Sequence, residues 1–186
     1  MLRLRYLGLA AVLVASPTAV SATQSRDASD STALPDSGSL VIHLLERKVG
    51  TEHYELRRDA GDWVLASSLD FVDRGSRVQL ESRLRTRADF TPKSFHANGK
   101  TYRFVNVDVD VDVLGASTRV RHFRDTNTVA TPRVFFAARG YAPLAARALL
   151  IRYWETHSRP KRIVNVAESP DAGLCYRIPW RRHGYR

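Results

Sequence analysis

The sequence contains one cysteine in 186 residues, and this scarcity excludes several kinds of protein. Cys175 cannot form a disulfide within the chain, so a small disulfide-stabilised fold is excluded. There is no CxxC pair, and the six histidines form neither HxH nor HxxxH, so no local zinc-binding spacing exists. We therefore predict no metal site and no cofactor.

Familiar catalytic motifs are also missing. The chain has no GxSxG and no glycine-rich phosphate loop. The aspartates at 108, 110 and 112 resemble the start of a calcium-binding loop, but Val113 and Arg119 stand where that loop needs Gly and Glu. The β-branched residues between the aspartates favour a strand. We therefore predict no catalytic residue in this chain.

Arginines alternate with other residues along two predicted strands, and the aspartates alternate along a third. Opposite charges that face each other across neighbouring strands contribute about 0.2–1 kcal/mol per pair. We therefore expect the aspartates of 108–112 to pair with arginines on other strands. The arginines concerned are Arg83, Arg85, Arg87, Arg119 and Arg121.

The amino terminus has the pattern of an export signal. Arg3 and Arg5 precede an apolar run at 6–15, and small residues at 20–22 suit a signal peptidase. The run is shorter than the roughly 20 apolar residues that a membrane span needs. We predict a cleaved signal peptide over 1–22, a periplasmic or secreted protein, and no transmembrane segment after cleavage.

Composition divides the remaining chain into three parts. Residues 23–38 are rich in Ser, Asp and Thr and predict a flexible lead-in. Residues 39–173 predict one β-rich domain, and 174–186 form a basic, aromatic tail that abandons the strand pattern. The formal net charge is +10, which in an exported protein indicates solvated strand faces and not a nucleic-acid partner.

Alternation of apolar and polar residues dominates the predicted domain. Trp63, Leu65, Leu69 and Phe71 fall on one face of a strand, and the alternation from Ser76 continues to Ala88. The valines of 107–113 alternate with the aspartates. Asn98 and Gly99 predict a two-residue hairpin turn, and an apolar piece at 134–137 continues the meander. These patterns predict an antiparallel meander.

One helix interrupts the strands. Pro143 suits its first turn, and Pro160 ends it. We predict an apolar stripe of Leu144, Ala148 and Ile151 that is widened by Leu149, Leu150, Tyr153 and Trp154. So apolar a helix belongs on the inner face of the sheet. The predicted fold is mainly β (α+β), a curled antiparallel half-barrel that clasps one carboxy-terminal helix.

Two interpretations of the apolar and aromatic residues stay open. In the first, the chain is a free-standing binding module or a carrier for an apolar small molecule, held between sheet and helix. In the second, Trp154 anchors the helix in a filled core and Arg152 is solvated. The first interpretation predicts a ligand site formed by Phe71, Leu84, Phe95, Arg152, Tyr153 and Trp154.

Several short strings, in their order and spacing, resemble a known family. They lie at 50–56, 71–75, 91–95, 133–143 and 151–160. Over residues 39–167 the chain resembles the N-terminal β-domain that precedes the metal-dependent hydrolase barrel in exported bacterial amidohydrolase-family proteins. The resemblance implies a non-catalytic leading domain whose partner is a hydrolase domain encoded downstream. The departure at 174–186 predicts a truncated or frameshifted product without activity of its own.

Overall fold

The computed structural model describes residues 37–73, 75–101, 105–138, 143–168 and 175–176, which belong to a compact unit spanning Thr32–Arg186. The predicted signal peptide, residues 23–36 of the predicted lead-in, and most of the tail lie outside the described residues. Within the described part of the chain, no helix combines the length and apolar content needed to cross a bilayer.

Eight antiparallel strands form one sheet in which each strand pairs with the next along the chain. β1 and β8 are its two edges, so the sheet is not closed, and the predicted antiparallel meander is confirmed. β1 begins within the predicted lead-in. The strands are β1 (Ser37–Leu44), β2 (Arg47–Asp59), β3 (Asp62–Asp73), β4 (Ser76–Thr86), β5 (Pro92–Lys100), β6 (Asn106–Leu114), β7 (Ser117–His122) and β8 (Asp125–Ala130).

Side-chain alternation gives the large sheet an apolar inner face. Leu65 on β3 lies opposite Leu56 on β2 and Leu84 on β4, and all three are buried. The predicted shared face of Trp63, Leu65, Leu69 and Phe71 is confirmed. β4 ends at Thr86, so the expected alternation as far as Ala88 extends two residues too far, and Ala88 is exposed.

A second, three-stranded sheet contains β9 (Phe135–Phe136), β10 (Ile163–Asn165) and β11 (Cys175–Tyr176). β9 is parallel to β10, whereas β11 is antiparallel to it. The apolar piece at 134–137 therefore leaves the meander instead of continuing it. A buried amide reinforces this sheet, because Asn165 accepts a hydrogen bond from the Ala138 N–H and donates one to the Ala138 carbonyl.

The predicted hairpin turn at Asn98–Gly99 is wrong. β5 passes straight through both residues, and the chain reverses only where the Thr101 N–H bonds the Val105 carbonyl at 2.8 Å. Gly99 lies opposite Leu80, and a Cβ there would stand 2.1 Å from the Gln79 carbonyl oxygen. Glycine at 99 therefore permits a close approach of two strands instead of a turn.

The single described helix, α1 (Leu144–Thr156), presents a different face to the core from the one predicted. Leu144 is 38% exposed and Ile151 is 42% exposed, so the predicted stripe through these two residues is wrong. Two small alanines complete the buried face, where they permit close packing of the helix. Its members are Ala145, Ala146, Leu149, Leu150, Tyr153 and Trp154.

α1 also ends earlier than predicted. It stops at Thr156, before Pro160, because Ser158 and Arg159 adopt positive φ angles of 61° and 53° that no helix continues through. The His157 N–H still bonds the Tyr153 carbonyl at 3.0 Å and closes the last turn.

A buried carboxylate joins α1 to the sheet. Glu52 on β2 has no exposed surface, and its two oxygens accept hydrogen bonds from the backbone N–H groups of Leu144 and Ala145. Pro143, at the N-cap position, offers no side-chain cap. Burial raises the pKa of Glu52, and the two amide hydrogen bonds oppose that rise. A residue about 90 positions distant in sequence therefore caps the helix.

Glu52→Ala should lower the free energy of unfolding by about 2–4 kcal/mol, because two amides lose their acceptor in a buried place. Chemical denaturation of the full chain measures this. Glu55→Ala is the matched control, since Glu55 is exposed on the same strand, and it should change stability by less than about 0.5 kcal/mol. Equal effects of the two substitutions would contradict the capping role.

The pH dependence of the free energy of unfolding gives a second test of the role of Glu52. A carboxyl whose folded pKa is raised contributes stability that is fully present below pH 4.5 and is lost as pH rises through the folded pKa. Glu52→Gln lacks this titration. The variant should therefore gain stability relative to the wild type as pH rises from 4 towards neutrality, and a pH-independent difference would contradict the assignment.

Candidate functional site

Five of the six predicted ligand-site residues pack together in or against the core. Leu84 and Phe95 face each other across β4 and β5, and each is 1% exposed. Tyr153 and Trp154 belong to the same buried cluster, and the half-buried Phe71 packs against it. Arg152 is half-buried, with its guanidinium 5.7 Å from the ring centre of Phe90, a member of the same cluster. None of the six lines the groove on the outer face that is described below.

The polar atoms of the helix aromatics serve internal contacts. The Trp154 indole N–H donates to the Pro160 carbonyl at 3.0 Å, and the Tyr153 hydroxyl accepts from the Phe135 N–H at 3.1 Å. Burial raises the pKa of Tyr153, and the His157 imidazole stacks on its ring at 4.0 Å between centres. These contacts favour the interpretation in which Trp154 anchors the helix.

The outer face of the sheet carries the charged residues, and many of them pair across strands. Arg119 on β7 bonds Asp112 on β6 at 2.8 Å. Arg121 bonds both Asp108 and Asp110 on the same neighbouring strand. The predicted pairing of the aspartates with Arg119 and Arg121 is therefore confirmed.

The arginines of β4 have other partners. β5 separates β4 from β6, so β4 arginines do not stand beside the aspartates of β6. Arg85 instead bonds Asp59 and Asp62 where β2 turns into β3, with 3.0 Å to Asp62. Arg87 lies beyond the end of β4. The expected pairing of these arginines with the β6 aspartates is wrong because strand order intervenes.

Three potential metal ligands come together on this face. Donor atoms of His96, Asp108 and Asp110 lie within 4.8 Å of one another, and His96 Nδ1 is 2.6 Å from Asp110. Arg121 contacts both aspartates and already neutralises charge at this position. Imidazole and carboxylate groups are suitable ligands for a divalent cation, but both carboxylates are already paired with the Arg121 guanidinium. The sequence showed no metal spacing because His96 comes from another strand.

Arg121→Met should expose this cluster to cations. Saturating Zn²⁺ should raise the melting temperature of the variant by about 2–4 °C and that of the wild type by less than about 1 °C. Thermal unfolding with Zn²⁺ and with a chelator measures the difference. The double variant Arg121→Met/His96→Ala is the control and should lose the gain. An equal Zn²⁺ response in wild type and Arg121→Met would refute the explanation.

A groove of about 470 Å³ runs along β3 on the outer face, and we call it the β3 trough. Its floor has the small residues Ala66 and Ser68. His53 and Glu55 on β2 form one wall; Glu81 and Arg83 on β4 form the other, and His96 and Asn98 on β5 extend it. The register explains the groove, because Ala66 stands between Glu55 and Arg83 while Ser68 stands between His53 and Glu81.

Among the residues that the structure describes, the Glu and Arg side chains of the trough lack the ion pairs that other charged residues on this face make. Arg77 is held by Asp70, whose pKa that hydrogen bond lowers, and Lys93 bonds Asp62 at 2.8 Å. Within the described part of the chain, the side chains of Glu55, Glu81 and Arg83 have no ion pair or hydrogen bond. Three charges that could receive a ligand therefore line one groove.

The imidazoles of the trough are oriented by neighbours. His53 Nδ1 lies 2.6 Å from the Ser39 hydroxyl on β1, and His96 is held by Asp110. Sequence reasoning missed this site. The sequence feature that could have indicated it is the pair of small outward residues Ala66 and Ser68 on β3. The strands on either side have long, charged outward residues at the facing positions.

Comparison with known proteins gives no neighbour: no protein-family model, no curated protein and no solved structure matches the chain. The resemblance to the leading β-domain of amidohydrolase-family proteins therefore stays a prediction from the short strings in the sequence.

Proposed function

We propose that this chain is a non-catalytic binding module that takes a small polar ligand in the β3 trough. The observation that carries the proposal is the grouping of Glu55, Glu81 and Arg83, without partners among the described residues, beside a floor of small side chains.

The chemistry of the lining favours a polar ligand over an apolar one. Carboxylates accept hydrogen bonds, a guanidinium donates them, and Asn98 and the imidazoles do both. The space between sheet and helix is filled by buried side chains such as Leu84 and Phe95. The apolar-carrier version of the binding hypothesis would need a cavity there.

The sheet supplies a rigid support for these groups. β3 is paired along its length with β2 on one side and β4 on the other. Side chains that project from a paired central strand and its neighbours keep their spacing, so binding need not order the backbone.

We also propose the finer architecture, in which the sheet is a half-barrel that clasps α1. We further propose that the protein is exported to the periplasm or the medium.

Blocking the trough tests the proposal. A thermal-shift screen of the full chain against amino acids, sugars and small organic acids should find compounds that stabilise the wild type. Ala66→Tyr fills the floor and should abolish those shifts, while it changes intrinsic stability by about 1 kcal/mol or less because position 66 is exposed.

The matched control is Thr128→Tyr, which places the same side chain at an exposed position of β8, away from the trough. It should keep every shift of the wild type. Shifts that survive in Ala66→Tyr, or a panel without any stabilising compound, would contradict binding in the trough.

A second candidate function has its own supporting observation. Leu144 and Ile151 expose apolar surface along one side of α1, with the half-buried Ala148 between them. Such a stripe suits packing against another domain. With the sequence resemblance, it supports the proposal that the chain is the leading β-domain of an exported amidohydrolase-like protein and lies beside its hydrolase barrel.

Two measurements test this second candidate. The full chain, supplied with Zn²⁺ or Mn²⁺, should not hydrolyse amide or ester substrates, and robust turnover would refute a non-catalytic role. Leu144→Ser/Ile151→Ser should abolish binding to a separately produced hydrolase domain from the same locus, whereas Val129→Ser on β8 should leave that binding intact.

A further inference from the structure

We infer that the ligand of the β3 trough is a small zwitterion that carries an ammonium and a carboxylate group, such as an amino acid or a short peptide. The inference rests on the proposed function, because it assigns a ligand class to the same groove. It depends on the arrangement of opposite charges on the two sides of the trough floor.

Glu55 and Arg83 face each other across the trough. Both are direct cross-strand neighbours of Ala66, one on each side. Two strand spacings separate their Cα atoms, which is about 10 Å. Ala66 contributes only a methyl group between them, so the space above it is open to a ligand that reaches both charges.

The two charges do not satisfy each other. Neither Glu55 nor Arg83 has an ion pair within the described residues, although elsewhere on this face opposite charges on adjacent strands do pair, as Arg119 and Asp112 do. Two strand spacings lie between Glu55 and Arg83, and their side chains do not meet, whereas Arg85 on β4 reaches Asp59 on β2 where β2 turns into β3. A ligand with both charges can bridge them.

The remaining groups argue against ligands of one charge. Glu81 adds a second carboxylate on the wall that carries Arg83, so a simple anion meets repulsion from Glu55 and Glu81. A simple cation binds the carboxylates but leaves Arg83 without a partner. A zwitterion places its ammonium at Glu55 and its carboxylate at Arg83, where a guanidinium can make two parallel hydrogen bonds.

A titration followed by ¹⁵N-resolved NMR tests the ligand class on the full chain. The probes are glycine and glycylglycine, which are zwitterions of two lengths, with N-acetylglycine and glycinamide as matched compounds that each lack one charge. Glucose is the neutral polar probe. We expect shifts confined to residues of β2–β5, with at least one zwitterion binding about tenfold or more tighter than either single-charge compound, the equivalent of one charge-assisted hydrogen bond.

Charge variants separate recognition from mere structure. Glu55→Gln and Arg83→Gln should each weaken binding of the better zwitterion by about tenfold. The double reversal Glu55→Arg/Arg83→Glu should restore binding, because a zwitterion can turn round in the trough. Arg77→Gln, on the same strand but outside the trough, is the matched control and should leave the affinity unchanged.

The outcomes distinguish the ligand class from the site. Zwitterion-selective shifts with rescue by the double reversal support both. If glucose shifts the trough and the zwitterions do not, the zwitterion assignment is overturned and the trough remains a polar site. If no probe shifts the trough residues, the zwitterion assignment is overturned, and the screen with Ala66→Tyr then decides the proposed function by itself.

Discussion

The contact between Glu52 and the first turn of α1 is the constraint on which the domain depends. A helix that starts after a proline without a side-chain cap leaves amides that need acceptors. Glu52 supplies them from β2, at a position where its carboxylate has lost its water. Because the Glu52 side chain reaches from β2 to the amides of Leu144 and Ala145, it fixes the start of the helix against the inner face of the sheet. The buried stripe of the helix then has one place to pack.

Once that face is occupied, the outer face is the face of the sheet that remains for recognition. The core beneath it is filled by side chains from strands and helix together, including Leu65, Phe95 and Leu149. A filled core is stiff, and the strands above it keep constant spacing. The outer face therefore behaves as a fixed grid of charges, in which strand order decides which groups meet.

This grid explains why some charges are satisfied and others are not. Arg121 reaches two aspartates because β6 and β7 are adjacent. Glu55 and Arg83 stand on either side of β3 and its small side chains and do not pair. The same rule that builds ion-pair ladders at one side of the sheet leaves a charged groove near its middle. These charges are exposed, so water solvates them in the absence of a protein partner. The binding proposal follows from their position in one groove.

Sequence patterns predicted most of the large sheet and the existence of the helix, and they failed at particular positions for identifiable reasons. Asn98 and Gly99 have the composition of a turn, but Gly99 is needed where two strands come close. Leu144 and Ile151 have helical spacing, but the alanines at 145 and 146 decide which face can approach the sheet. The polar strand β8 lacks apolar alternation and was not predicted.

The sequence by itself determined the period-two alternation, the mainly β antiparallel meander and the position of one apolar helix, because these follow from local side-chain order. Only the tertiary structure decided which charges pair, that Glu52 caps α1, that β9 joins a separate sheet, and that a groove lies over Ala66. Those outcomes depend on strand order and register, which bring together residues that are far apart in the chain.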